Sequence, residues 1–288
     1  MNNLDPKQSY EVYDDIPTNN SSQEGEKLFD DNYDKTPNPK TPIWQDLVLI
    51  FLAFVGLDLI VMLTQAIAMG VMRSQGYSDF AIQGYFTGYD FLSIANFARY
   101  SVVFLLMIVV LFFSKTLLPI LKTFKKFRTY LYGIGWGFIV IFTSIVYNNI
   151  IGYIVSDYGS NENQNAVESV IKLYPLLSVI WIPFLGPIVE ELGYRLGLFN
   201  TLKKVNRLLA YIATALIFGL IHFNIPETSE PDFWAKFGIE VLNLPGYIIS
   251  GFAFNYIYEK ENIGTSIVAH VTNNFVSYIV TIIAMRSS

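Results

Sequence analysis

Three short runs carry the groups that could do chemistry. They are Glu190-Glu191-Leu-Gly-Tyr-Arg195, Phe218-Gly-Leu-Ile-His222 and His270-Val-Thr-Asn-Asn274. The chain has only two histidines and no cysteine, and both histidines fall in these runs. The lack of cysteine rules out disulfides, a thiol nucleophile and a cysteine-held metal. What remains is carboxylate, imidazole and amide chemistry.

Helical spacing gives each group a role. Glu191 and Arg195 are four apart, share a face and can pair, and the guanidinium then keeps Glu191 ionised and occupied. Glu190 is turned about 100° away on an ideal helix, which leaves it without that partner and available as a base. His270 and Asn274 also share a face. Phe218 lies one turn before His222 and can wall its imidazole against solvent. A glutamate near a histidine can hold and deprotonate a water. A histidine with an asparagine can donate to a developing oxyanion. Together these are the parts of amide hydrolysis without a covalent intermediate. Each piece also has a plainer reading: adjacent glutamates can simply be solvated, an arginine at i+4 is ordinarily structural, and Gly193 and Gly197 read as a small-residue packing face. The clusters gain weight jointly.

The elements that must position these groups are helices in a bilayer. The chain has 288 residues, 52% hydrophobic and only 15% charged, against about 25% charged in ordinary soluble domains. Apolar stretches near 44–70, 92–114, 130–155, 173–200, 208–225, 237–258 and 264–285 have the length of spans, about 20 residues each. The expected fold is therefore all-α: a polytopic bundle of about seven spans, or eight if the Gly- and Tyr-rich stretch 73–91 adds one rather than lying at the interface. Pro183 and Pro187 should kink the fourth span. Asp58 and Glu240 are expected to face the bundle interior, as ionisable groups in spans do. Ahead of this 43–288 membrane domain, residues 1–42 hold nine acids and four lysines and account for the whole net charge of −5. That stretch reads as a disordered acidic tail, and the charge gives no sign of nucleic-acid binding.

Lysines and arginines cluster at 115–128 and 201–207 and at the end of the tail (Lys27, Lys35, Lys40). With seven spans these fall on one side, and the positive-inside rule makes that side and the N-terminus cytoplasmic. One conflict follows. These boundaries put Glu190 and His270 toward the cytoplasmic side and His222 late in an outward span, so either the segment 190–207 stays buried and kinked or a boundary is misplaced.

The three runs resemble the motifs of the CPBP family, which includes type II CAAX prenyl endopeptidases and bacterial Abi bacteriocin self-immunity proteins. The flanking runs at 210–222 and 266–274 are similar too, and the resemblance covers about 175–280. It implies an intramembrane endopeptidase of the cell membrane acting on a membrane-embedded or lipid-anchored peptide. Glu190 with His222 would activate water, His270 with Asn274 would stabilise the oxyanion, and Glu191, Arg195 and Phe218 would support them. No cofactor is favoured, although members have also been described as metalloproteases, in which case zinc would sit on Glu190, His222 and His270. The motif Arg is followed here by Leu196, with glycine at 197, where the family has glycine directly. Rival readings are a non-catalytic immunity or scaffold protein of the same fold and a transporter; a transporter would more naturally show a distributed relay or internal symmetry.

Overall fold

The structure, a computed structural model, describes residues 38–287 apart from 157 and 230. The expectation of disorder for 1–37 lies outside the described residues. Residues 38–42 are different: Asn38 donates to the Tyr258 carbonyl at 2.8 Å and accepts from the Ile263 amide at 2.7 Å. The expected tail boundary at 42 is therefore too late.

Ten helices and no strand occur among the described residues. They are α1 (Ile43–Ser74), α2 (Asp79–Phe86), α3 (Tyr89–Phe113), α4 (Leu117–Thr123), α5 (Phe127–Ile154), α6 (Glu162–Leu173), α7 (Pro175–Lys203), α8 (Arg207–Leu220), α9 (Phe233–Lys260) and α10 (Ile263–Ser287). Six of them, α1, α3, α5, α7, α9 and α10, are long and apolar enough to cross a membrane. The stretch 73–91 yields only the eight-residue α2 between turns, not an eighth span. The expected span at 208–225 is shorter than its hydropathy: α8 has 14 residues, and His222 sits in the turn beyond it.

Asparagines start two of the inner helices. Asn206 caps α8 by accepting from the Leu209 amide at 2.9 Å, and Asn262 accepts from the Thr265 amide at 2.9 Å at the start of α10; each satisfies an orphan N–H of the first turn. Phe138, Phe142, Leu105 and Ile67 are exposed on the flanks. An apolar surface this extensive fits a lipid environment.

One end of the bundle gathers the basic segments. Lys203 and Arg207 both reach Glu259, at 2.8 and 2.7 Å; Lys204 reaches Asp46 at 2.6 Å; and Arg128 reaches Glu261 at 3.4 Å. The starts of α1, α5, α8 and α10 therefore share an end with the finishes of α7 and α9. Close helix contacts agree. A side chain at Gly193 would strike Ala53, and one at Gly197 would come within 3.2 Å of the Asp46 carbonyl, so α7 runs against α1 on the expected small-residue face. Gly133 and Gly137 of α5 meet Val268 and Thr272 of α10 in the same way. Leu196, where the family pattern has glycine, is fully buried in the core.

Glu240 is buried as expected, and accepts from the amides of Glu162 at 2.7 Å and Asn224 at 3.1 Å, tying the start of α6 and the loop after α8 to α9. The expectation for Asp58 fails. It is exposed on the outer surface of α1, where Leu57 and Ile60 pack against the core instead.

Candidate active site

The site is built around an irregular α7. It is α-helical over Pro175–Ile180 and Gly186–Glu190 and π-helical over Trp181–Leu185 and Glu191–Phe199. The two prolines thus coincide with a widened turn inside a continuous helix. The widening matters locally. The Gly186 amide bonds the Trp181 carbonyl, five residues back. In that pattern the partner of the Ile182 carbonyl would be the amide of Pro187, which proline lacks. Asn274 supplies the missing donor: its Nδ2 lies 3.3 Å from the Ile182 oxygen.

Glu191 and Arg195 are both fully buried, with 3.3 Å between Oε1 and Nη1. The guanidinium also lies 4.6 Å from the Phe218 ring centroid and 5.2 Å from that of Phe254, contacts that favour a desolvated cation. Glu191 has further partners. Ser266 Oγ donates to Oε2 at 2.5 Å, and His270 Nδ1 lies 2.9 Å from Oε1. A carboxylate only accepts, so His270 Nδ1 carries the proton. The other imidazole nitrogen, Nε2, lies 3.7 Å from Glu190 Oε2.

Glu190 is therefore the less committed carboxylate, as its position beside the Glu191–Arg195 pair implies. Its nearest neighbours are His270 and the Tyr100 hydroxyl, 3.5 Å from Oε1. His222 Nδ1 lies 2.8 Å from the Phe218 carbonyl. It must donate to it, which leaves Nε2 with a free lone pair in the neutral ring. The Phe218 ring touches both imidazoles, 5.1 Å from His222 and 5.8 Å from His270.

Glu190, Phe218, His222, His270 and Asn274 all line one cavity of about 550 Å³. A second, of about 580 Å³, shares Glu190, His222 and Asn274 and extends toward α3 and α6. Glu190 meets His270 at ion-pair distance and shares the cavity with His222. The depth conflict resolves. Glu190 lies 13 residues before Lys203 and His222 lies 15 after Arg207, so each rises roughly 20 Å from the shared basic end. Residues 191–197 are all buried, whereas 203–207 are exposed, so the segment is inside the bundle only over its first part. Glu190 is not near that end. His270, seven residues into α10, meets it at 3.7 Å.

Zinc would need three donors about 2.0–2.2 Å from one point. No group of three His, Asp or Glu side chains converges in that way among the described residues. His270 and His222 both commit Nδ1 and keep Nε2, the tautomer a metal-bound imidazole also uses; what is missing for a three-ligand site is convergence on one point.

Several residues at the site carry no motif. Ser266 could have been found, since Ser266, His270 and Asn274 recur every four residues along one face of α10. Tyr247 stacks on His222 at 4.4 Å and Phe254 on His270 at 4.3 Å. Tyr100 stacks on Trp181 at 5.6 Å. These aromatics are indistinguishable in sequence from the many others. At the cavity rim, Tyr158 donates to Asn148 or Asn243, each 2.9 Å away. Burial pushes this phenol up from its ordinary pKa, so it stays a donor.

Residues 172–276 match a family model described as Type II CAAX prenyl endopeptidase Rce1-like, a little over a third of the chain. The chain is 27% identical over 146 residues to "Putative membrane peptidase YdiL" of Bacillus subtilis (strain 168), covering 50% of this chain and 53% of that protein. It is 24% identical over 86 residues to UPF0177 protein YvdC of Lactococcus lactis subsp. lactis (strain IL1403), covering 30% and 33%. The chain thus spans about half the length of the first relative and a third of the second. No solved structure matches. The family model and the two relatives support a CPBP-family protein, and with the six apolar helices they support an integral, multi-pass membrane protein.

Proposed function

We propose that the chain is a CAAX-protease-like intramembrane endopeptidase that hydrolyses a peptide bond of a membrane-embedded or lipid-anchored substrate with a water activated by Glu190. One observation carries this reading. Of two adjacent glutamates, Glu191 is taken up by Arg195, Ser266 and His270, while Glu190 faces a cavity that both imidazoles line.

In this mechanism Glu190 takes a proton from water as the oxygen attacks the carbonyl carbon. His222 Nε2, free to accept, holds the second water hydrogen. Charge develops on the carbonyl oxygen. Protonated His270 presents Nε2–H to it, and Asn274 offers the amide hydrogen that Ile182 does not engage. Collapse of the tetrahedral intermediate breaks the C–N bond, and Glu190 returns its proton to the leaving amine. No step uses a metal.

We further place the chain in the cell membrane with the basic end and the N-terminus in the cytoplasm, on the positive-inside rule. The test uses purified chain in nanodiscs against fluorogenic membrane peptides, wild type beside Glu190→Gln, with products identified by mass spectrometry. Wild type is expected to cleave. The variant should be slower by roughly 10²–10⁴-fold while remaining folded. Undiminished cleavage by Glu190→Gln would overturn the assignment.

A further inference from the structure

We infer that Arg99 and Tyr100 on α3 form an anion-accepting subsite beside Glu190 that takes a carboxylate of the substrate peptide a few residues from the scissile bond. This rests on the hydrolase reading above and adds a specificity-determining residue to it.

Asn96, Arg99 and Tyr100 lie at i, i+3 and i+4, so they share one face of α3. All three line the 580 Å³ cavity that also holds Glu190, His222 and Asn274. Arg99 differs from the other arginines of the bundle interior. Arg195 has Glu191 and Arg128 has Glu261, whereas no carboxylate among the described residues comes within 4 Å of Arg99. Glu162 and Glu190 line the same cavity without reaching it. Its Nε is sealed from solvent and has no hydrogen-bond partner. A guanidinium inside a span is costly unless it meets a partner or a wet cavity. Here the cavity is present, Tyr100 is the polar neighbour, and a countercharge is missing.

The distances connect this charge to the chemistry. The Arg99 guanidinium carbon is 5.0 Å from the Tyr100 ring centroid, and the Tyr100 hydroxyl is 3.5 Å from Glu190. The two charged groups are thus at most about 11 Å apart, no more than about three residues of extended chain. Tyr100 is held in place by its stack on Trp181. A planar guanidinium without a countercharge matches a carboxylate in shape and charge. A peptide lying across Glu190 would therefore bring a carboxylate on that side of the cut to Arg99. The group can be a chain terminus or an Asp or Glu side chain.

Binding of small peptides tests this apart from turnover. Full-length Glu190→Gln protein in nanodiscs is titrated by calorimetry with N-acetyl-leucyl-leucine, its C-terminal amide, and N-acetyl-leucyl-aspartyl-leucinamide. The expected result is that at least one carboxylate-bearing probe binds about tenfold more tightly than the neutral amide; which one does so identifies the source of the carboxylate. Adding Arg99→Gln should erase the difference, and Arg99→Lys should keep part of it. Unchanged amide binding in Arg99→Gln shows that the cavity persists. Equal affinity for all three probes, no binding of any, or a preference that survives Arg99→Gln would overturn the subsite. If those results came with cleavage that still depends on Glu190, the hydrolase reading would stand alone. An anion preference with full cleavage by Glu190→Gln would instead remove Glu190 as the base and leave the subsite.

Discussion

Glu191 accepts the Nδ1 hydrogen of His270 at 2.9 Å and thereby turns Nε2 of the same ring toward Glu190, 3.7 Å away. The two neighbouring glutamates thus act on opposite edges of one imidazole. The first expected outcome separates them. Glu191→Gln leaves a buried guanidinium without its countercharge and should cost roughly 3–5 kcal/mol, with activity lost through misplacement of His270. Glu190→Gln, at the cavity, should leave the thermal midpoint within a degree or so of wild type. Scanning calorimetry or a fluorescence melt of the two variants checks this. Equal destabilisation would show that both carboxylates are structural.

The close approach of α7 to α1 positions this pair. A side chain at Gly193 would overlap Ala53, and both helices are part of the packed core. Gly193→Leu should therefore cost roughly 1–3 kcal/mol through overpacking and lower turnover by displacing Glu190. Gly238→Ala is the control, because nothing lies within 4 Å of its new methyl group. A fold as stable with Gly193→Leu as with Gly238→Ala would mean the helices can separate at no cost.

The chemistry-bearing residues were legible because they are rare in such a chain. Glu190, His222, His270 and Asn274 stand out against apolar helix, and helical spacing sorted Glu190 from Glu191. The π-turns were not legible, since they are set by which carbonyl each amide selects, and only the absent N–H of Pro187 hints at one. The end of α8 was overextended because Ile221, Phe223 and Ile225 continue the apolar run after the helix has stopped. Asp58 was misplaced because hydropathy does not say which face of a helix has neighbours. Arg99 and Tyr100 were missed because nothing in the local pattern of α3 separates a cavity-facing position from a packed one.

The basic loops lead to a topology outcome. Lys125 lies in the turn between α4 and α5, at the end of the bundle that also holds Lys203, Lys204 and Arg207. A cysteine placed at Lys125 should react with a membrane-impermeant maleimide only after the cells are opened. The native chain has no cysteine, so no background labelling competes. Labelling of intact cells alone would invert the orientation.

The last outcome concerns metal. A zinc mechanism needs the imidazoles of His222 and His270 and a carboxylate to converge on one ion, with water in the fourth position. Each ring donates Nδ1–H to a fixed acceptor, Phe218 O for one and Glu191 for the other, and Asn274 is drawn to Ile182. No three His, Asp or Glu side chains converge on one point among the described residues. An amide is a poor zinc ligand but a good donor to an oxyanion. Turnover by protein dialysed against EDTA or 1,10-phenanthroline is therefore expected to stay within about twofold of untreated protein, an effect far smaller than the loss of a general base. Elemental analysis of the same samples should show no stoichiometric zinc. One tightly held zinc per chain, with activity lost on its removal and regained on its return, would replace the glutamate mechanism with a metal-bound water.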